Sequence, residues 1–372
     1  MQDISFFKDI ADNPEAYARK WKDETRGRII GHFCSYTPIE IVIAAGALPF
    51  RVLSLRADSS RADAHLQSYC CNVVRSALHD ALSGRLDFLD GAVFPHTCDS
   101  IQRLSDIWRI NNLQRFHADV ILPVKLNSDS AREYLVEVLA RFRNDLERGL
   151  GVEITADKLR EAIDICNRNR KSLGKLYRTM QNHPKRLRAS ELYQINRAAM
   201  VMDGRRLADK LDELVSRLES VDDDDDFSGK RIILSGGVCH VPDISRIIEK
   251  LGAAVVWDDF CTGARYFQGF IDEKAEPIEA IARRYFDRIV CPAKHASLSS
   301  RGDYLVEAVK YTRAHGIVFV LQKFCDPHAF DYPYLRERLV EIGIPSILIE
   351  IESQQAGSGQ LETRIEAFLE IL

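Results

Sequence analysis

Ile29-Ile30-Gly31-His32-Phe33-Cys34-Ser35-Tyr36-Thr37-Pro38-Ile39-Glu40-Ile41-Val42-Ile43-Ala44-Ala45-Gly46 decides the fold class. Its first residues form a short apolar run ending at Cys34, the length and composition of a buried strand. A helix opens at Pro38, carries Ile39, Ile41, Val42, Ala44 and Ala45, and stops at Gly46. Proline just inside a helix start and glycine just past its end is the expected asymmetry, because proline lacks an N–H and glycine tolerates the left-handed cap. The unit is therefore strand, loop, helix.

The same grammar extends outward. Upstream, residues 7–26 read as a charged amphipathic helix. Downstream, 50–55 is a strand candidate and 66–84 a helix; Gly91-Ala92-Val93-Phe94-Pro95 is strand-like and runs straight into His96-Thr97-Cys98-Asp99-Ser100; Asp119-Val120-Ile121-Leu122-Pro123 closes the half. Strands alternating with helices imply a parallel sheet with crossover helices. From about 130 to 220 the chain is helical, with long charged stretches at 133–148 and 157–178, and ends in the aspartates 222–226, a solvated linker. A second alternating half begins at Lys230, with strand candidates at 231–235, 253–257, 287–291, 317–321 and 346–350. The expected architecture is α/β: two doubly wound parallel-sheet domains of the Rossmann/flavodoxin-like type, 29–129 and 228–372. A helical segment, 1–28, precedes them and a helical region, 130–227, joins them. No convincing sequence repeat relates the halves.

Composition narrows the function classes. The 372 residues exceed what one core usually organises, and the hydrophobic and charged fractions, 46% and 28%, are those of a globular protein. A net charge of −4 gives no reason to expect a nucleic-acid or anionic-membrane partner. No run approaches the roughly 20 apolar residues that span a bilayer. The start, Met1-Gln2-Asp3-Ile4-Ser5, lacks the basic opening of a signal peptide. A cytoplasmic location is expected.

In that compartment nine cysteines, an odd number, do not make a disulfide framework. Their placement is the informative feature. Cys34, Cys98, Cys239, Cys261, Cys291 and Cys325 each fall at or near the carboxyl end of a strand candidate, where open α/β sheets bind ligands. Cys166 instead sits on a helix core face. Taken singly, each thiol is an ordinary packed residue; the group makes the case for a site. No Cys-x-x-Cys pair announces a zinc ribbon or a ferredoxin-type cluster, so a metal site must be assembled from distant loops. His96 and His328, beside Cys98 and Cys325, read as local hydrogen-bonders. No Walker-type motif occurs. Ser235-Gly236-Gly237 reads as a tight turn rather than a phosphate loop.

Several segments resemble one family. Residues 31–49 are similar to the N-terminal signature of the 2-hydroxyacyl-CoA dehydratase D-component family, which includes benzoyl-CoA reductase subunits and double-cubane cluster proteins. Tyr69-Cys70-Cys71-Asn72-Val73-Val74-Arg75-Ser76, His96-Thr97-Cys98-Asp99-Ser100, Asp258 to Phe267, and Gln322-Lys323-Phe324-Cys325-Asp326-Pro327-His328 agree in the family's order. The resemblance spans residues 25–372. It implies a 4Fe–4S cluster in the interdomain cleft held by Cys71, Cys98 and Cys325. Cys71 is preferred to the alternative, Cys70, because the family pattern places a basic residue, here Arg75, four positions after the ligand.

The resemblance further implies a subunit that passes single low-potential electrons to an acyl-CoA thioester. A homologous second subunit, or a second copy of the chain, and a separate ATP-hydrolysing iron–sulfur activator would complete the system. Ser35 and Glu40 are candidate polar or acid–base groups, Glu40 being equally readable as a first-turn glutamate that favours a helix N-terminus. Cys34 and Cys261 lie near the site without an assigned role; Cys239 and Cys291 read as packed thiols. The segments Phe330-Asp331-Tyr332-Pro333-Tyr334-Leu335 and Gly359 to Arg364 resemble the C branch of the benzoyl-CoA reductases, so reduction of an aromatic acyl-CoA is the preferred reaction. The alternatives are radical dehydration of a 2-hydroxyacyl-CoA, a double-cubane reductase, and a non-catalytic electron-transfer subunit.

Overall fold

The computed structural model describes residues 3–54, 59–111, 113–221, 227–238, 241–288, 291–297, 299–352 and 358–372. Two helices, α1 (Ser5–Asp12) and α2 (Pro14–Thr25), open the chain. The single helix expected at 7–26 is broken at Asn13 because Pro14, with no N–H to donate, can only begin a new one.

The first half follows as β1 (Arg28–His32), α3 (Ile39–Ala44), β2 (Ala47–Arg51), α4 (Asn72–Leu82), β3 (Gly91–Pro95), α5 (Asp99–Ile110) and β4 (Phe116–Val120). Its four strands are all parallel, in the order β2-β1-β3-β4. Successive residues point to opposite faces of a strand, and both faces are covered. Ile29, Phe50, Ala92 and Phe94 pack with α4 and α5 on one side, while Ile30, Ala47 and Val93 pack with α3 and the next long helix on the other. Burial on both faces explains why these strands read as continuous apolar runs. β2 starts earlier than the sequence pattern suggests. Gly46, at φ 74°, supplies the left-handed turn that lets the chain re-enter the sheet at once.

Four helices link the halves: α6 (Asp129–Leu150), α7 (Ala156–Asn182), α8 (Ala189–Ala199) and α9 (Gly204–Glu219). Ser128, Thr155 and Asp203 each accept a first-turn N–H and cap three of these starts. The aspartates 222–226 lie outside the described residues.

The second half comprises β5 (Arg231–Gly236), α10 (Val241–Lys250), β6 (Ala254–Asp259), α11 (Ala264–Phe267), α12 (Pro277–Asp287), α13 (Ser300–Thr312), β7 (Gly316–Gln322), α14 (Asp326–Glu341), β8 (Ser346–Ile351) and α15 (Ser358–Glu370). Its sheet is again parallel, ordered β6-β5-β7-β8. The halves thus share one strand order although no sequence repeat is visible. The doubly wound expectation holds, with one correction. Among the described residues the run 287–291 supplies no strand to this sheet: Asp287 ends α12, Cys291 lies in a loop, and 289–290 fall outside the described residues. Cys291 and α12 pack into the core of the first half. α7 packs against α3 of the first half and against β6, α11 and α12 of the second, forming a spine between them. No described helix is long and apolar enough to cross a membrane.

Candidate active-site cleft

Three loops meet between the halves. Cys71 caps the start of α4, Cys98 that of α5 and Cys325 that of α14. A helix start usually carries Ser, Thr, Asp or Asn, whose side-chain oxygen satisfies a free N–H. Cysteine in all three places puts sulfur at the positive end of three helices. The three thiols line one cleft of about 450 Å³, together with Thr97, Ser100, Lys294, Arg301 and Phe330. The cleft thus draws on the carboxyl edges of β3 and β7, one from each sheet, where an open α/β sheet places ligands.

Burial pushes the Cys98 thiol up to about 12 and raises those of Cys71 and Cys325, while first-turn N–H groups at each helix start pull the other way. The sulfurs also repel one another as thiolates: Cys71 is felt by both Cys98 and Cys325. A bound metal group would supply the positive charge that favours the thiolate form against this burial. Among the described residues no three His, Cys, Asp or Glu side chains converge closely enough to hold a single metal ion. The thiols instead surround a space.

Cys70 is placed differently. It is buried in the core of the first half, with Asp99, Arg75 and Ser100 among its polar neighbours, and does not line the cleft. Arg75 forms an ion pair with Asp63. His328 sits 3.3 Å from Cys325 Sγ through Nδ1, and its Nε2 faces Arg265 at 3.3 Å. Arg265 in turn pairs with Asp259, which also holds Arg301 at 2.9 Å. His96 bonds the Asp119 carboxylate at 2.9 Å. Both histidines are therefore local hydrogen-bonders.

Ser35 and Glu40 are not in the cleft. Glu40 is fully buried and ion-paired to Arg170 on α7; burial alone would raise its carboxyl, but Arg170 and then Arg284 hold it below the usual range. Ser35 receives two bonds from Arg288, one on its carbonyl and one on its hydroxyl, each 2.9 Å. Of the other cysteines, Cys34 takes a long bond from Thr97 at 3.7 Å, Cys261 and Cys291 are buried beside each other, and Cys166 packs on the core face of α7. Cys239 lies outside the described residues. In the Ser235-Gly236-Gly237 segment a Cβ on Gly236 would stand 2.0 Å from the Val320 carbonyl. The tight-turn reading is corrected here: Ser235 and Gly236 are the last residues of β5, paired with Phe319 and Val320 of β7, and the glycine allows the two strands to approach.

A family model described as 2-hydroxyglutaryl-CoA dehydratase, D-component, matches residues 34–372. The chain belongs to this D-component family. The resemblance carried by the cysteine segments is thereby borne out. The (R)-phenyllactyl-CoA dehydratase beta subunit of Clostridium sporogenes is 29% identical over 366 residues, covering 98% of this chain and 97% of that one. The C subunit of benzoyl-CoA reductase from Thauera aromatica is 29% identical over 352 residues, covering 93% and 90%. The beta subunit of (R)-2-hydroxyglutaryl-CoA dehydratase from Acidaminococcus fermentans is 25% identical over 375 residues, covering 99% and 98%. These D-component relatives are subunits of enzymes acting on acyl-CoA thioesters, some dehydratases and one a reductase.

Behind the cleft, the D-component segment 258–267 carries a carboxyl with an altered titration. Asp258 accepts from Tyr177 Oη at 2.6 Å and from the N–H groups of Phe260 and Ala264, and burial pushes it up to about 6. The fold therefore prefers the protonated acid. Its contribution to stability is full below 3.8, the ordinary value, and declines as pH rises to about 6. The urea midpoint of the wild-type chain should fall between about pH 4 and pH 6.5 relative to that of Asp258→Asn. Parallel midpoints in the two proteins would refute this.

Proposed function

We propose that this chain is the cluster-bearing subunit of a two-component enzyme that transfers single low-potential electrons to an acyl-CoA thioester. The observation that carries the reading is the cleft where Cys71, Cys98 and Cys325 cap three helices from both halves. Three thiolates fit a 4Fe–4S cluster with one iron left without a protein ligand, and such a cluster supplies one-electron chemistry at potentials tuned by charge, burial and hydrogen bonds to sulfur.

The chain's own residues would hold and tune that group. Cys71, Cys98 and Cys325 bind; the helix starts stabilise thiolate charge; His328 orients against Cys325 Sγ. Phe330, Tyr334 and Val124, all exposed, form the apolar rim of the cleft. Ser35 and Glu40 we assign to holding the halves together, because each is engaged by a buried arginine. The relatives' names as subunits support a homologous partner. Electrons would come from a separate ATP-hydrolysing iron–sulfur activator.

For the reaction, the reductase-like segments at 330–335 and 359–364 favour net reduction of an aromatic acyl-CoA. The nearly end-to-end match to the phenyllactyl-CoA dehydratase subunit favours radical dehydration as a second reading. Anaerobically purified chain should carry about four irons and as much acid-labile sulfide. Near-zero iron in protein never exposed to air would sink the electron-transfer reading. With partner and activator added, electron consumption in proportion to product supports the reductase; consumption far below product supports the dehydratase.

A further inference from the structure

Lys294 is 4% exposed, and a lysine so enclosed is rare unless an anion accompanies it. None of the described carboxylates forms an ion pair with it. Its ammonium donates to the carbonyls of His96 and Leu122, each at 3.2 Å. Those carbonyls lie just beyond the carboxyl edges of β3 and β4, so the first half fixes the charge from two sides. Two acceptors leave one of its three N–H donors unaccounted for. The ionisable groups that act on the ammonium are all thiols: Cys34 first, then Cys291 and Cys98. It also lines the cleft beside Cys98.

We propose that Lys294 is the counter-cation of the cleft. Held by two carbonyls and lining the same cleft as Cys98, it stabilises the negative charge that an iron–sulfur group gains on taking up one electron, and so raises its reduction potential. This rests on the cluster reading above. The charge balance is simple: an external one-electron reductant adds one negative charge, and Lys294 keeps its proton and offsets that charge. Charges in so buried a place interact strongly, and solvent screens them little.

The test compares wild-type chain with Lys294→Gln, which removes the charge but keeps a donor for the carbonyls, and Lys294→Arg, which keeps the charge. Each is isolated without oxygen, analysed for iron, and titrated stepwise with titanium(III) citrate while the reduced cluster is followed by electron paramagnetic resonance. The expected result is unchanged iron in Lys294→Gln with one-electron reduction at least about tenfold less favourable, about 59 mV lower. Lys294→Arg should lie within a few-fold of wild type. Removing the iron from each chain and measuring its melting temperature gives a second readout. Without the anion the lysine is an uncompensated buried charge, so Lys294→Gln should melt no lower than wild type.

An unshifted potential with iron retained overturns the proposal and leaves the cluster reading standing. Loss of iron from Lys294→Gln, or a markedly lower melting temperature of its iron-free chain, makes Lys294 a clamp between segments and likewise overturns it. Iron absent from the wild type overturns both.

Discussion

Serine in place of Cys71 should strip the chain of nearly all its iron, from about four per chain to well under one, whereas Cys70→Ser should leave the content within error of wild type. The two residues are adjacent, and the difference rests on where the chain turns. Cys71 is the last extended residue before α4 and lines the cleft, while Cys70 faces inward among the core residues of the first half. Cys70→Ser buries a hydroxyl in place of a thiol and should cost about 1–3 kcal/mol of stability without touching the metal. Cys98→Ser and Cys325→Ser should behave as Cys71→Ser does. Iron and sulfide analysis of the four anaerobic proteins checks the whole set. Iron lost with Cys70→Ser and kept with Cys71→Ser would reverse the ligand assignment.

Glu40→Gln should be the most damaging single change outside the cleft. Breaking a buried ion pair from one side leaves the partner charged and unsolvated, at a cost of about 3–5 kcal/mol. Here the abandoned group is Arg170, 5% exposed, with Arg284 nearby and pulled down to about 9 by burial and by Arg170. Replacing both partners at once, in Glu40→Met with Arg170→Met, should recover much of the loss, because no charge remains stranded. Urea unfolding of the three variants measures this. A small effect of Glu40→Gln on stability, accompanied by a large loss of turnover, would return Glu40 to the acid–base role read from the sequence.

Much of the architecture was legible because parallel strands covered on both faces advertise themselves as apolar runs. Ile29-Ile30, Val93-Phe94 and Ile317 to Leu321 could be placed with no knowledge of their partners. At 287–291 the expectation fails in the described residues: Asp287 belongs to α12, and Cys291, in a loop, packs into the core of the other half. Periodicity reports burial, and only indirectly the element that is buried. The expected helix 66–84 began too early because Cys71 stands where Ser or Asp would have marked the cap. That anomaly was itself a signal, repeated at Cys98 and Cys325. What no local pattern carried were the long-range charge partners: Glu40 with Arg170, 130 positions apart, and Lys294 with the carbonyls of His96 and Leu122. Their pairing is set by how the halves dock, and each residue alone looks like ordinary surface charge.

Cys98 and Cys325 each follow the third strand of their own sheet, so the shared strand order places them at matching points of the two halves. A group gripped by both acts mechanically as a rivet across a hinge. In the cluster-bearing protein proposed above, the gap between the sheet edges is pinned at its mouth. The iron-free chain is held there by the Lys125–His295 bridge and, further back, by the α7 spine. Assembly of the metal group would then be the step that finally sets the width of the opening through which a thioester enters.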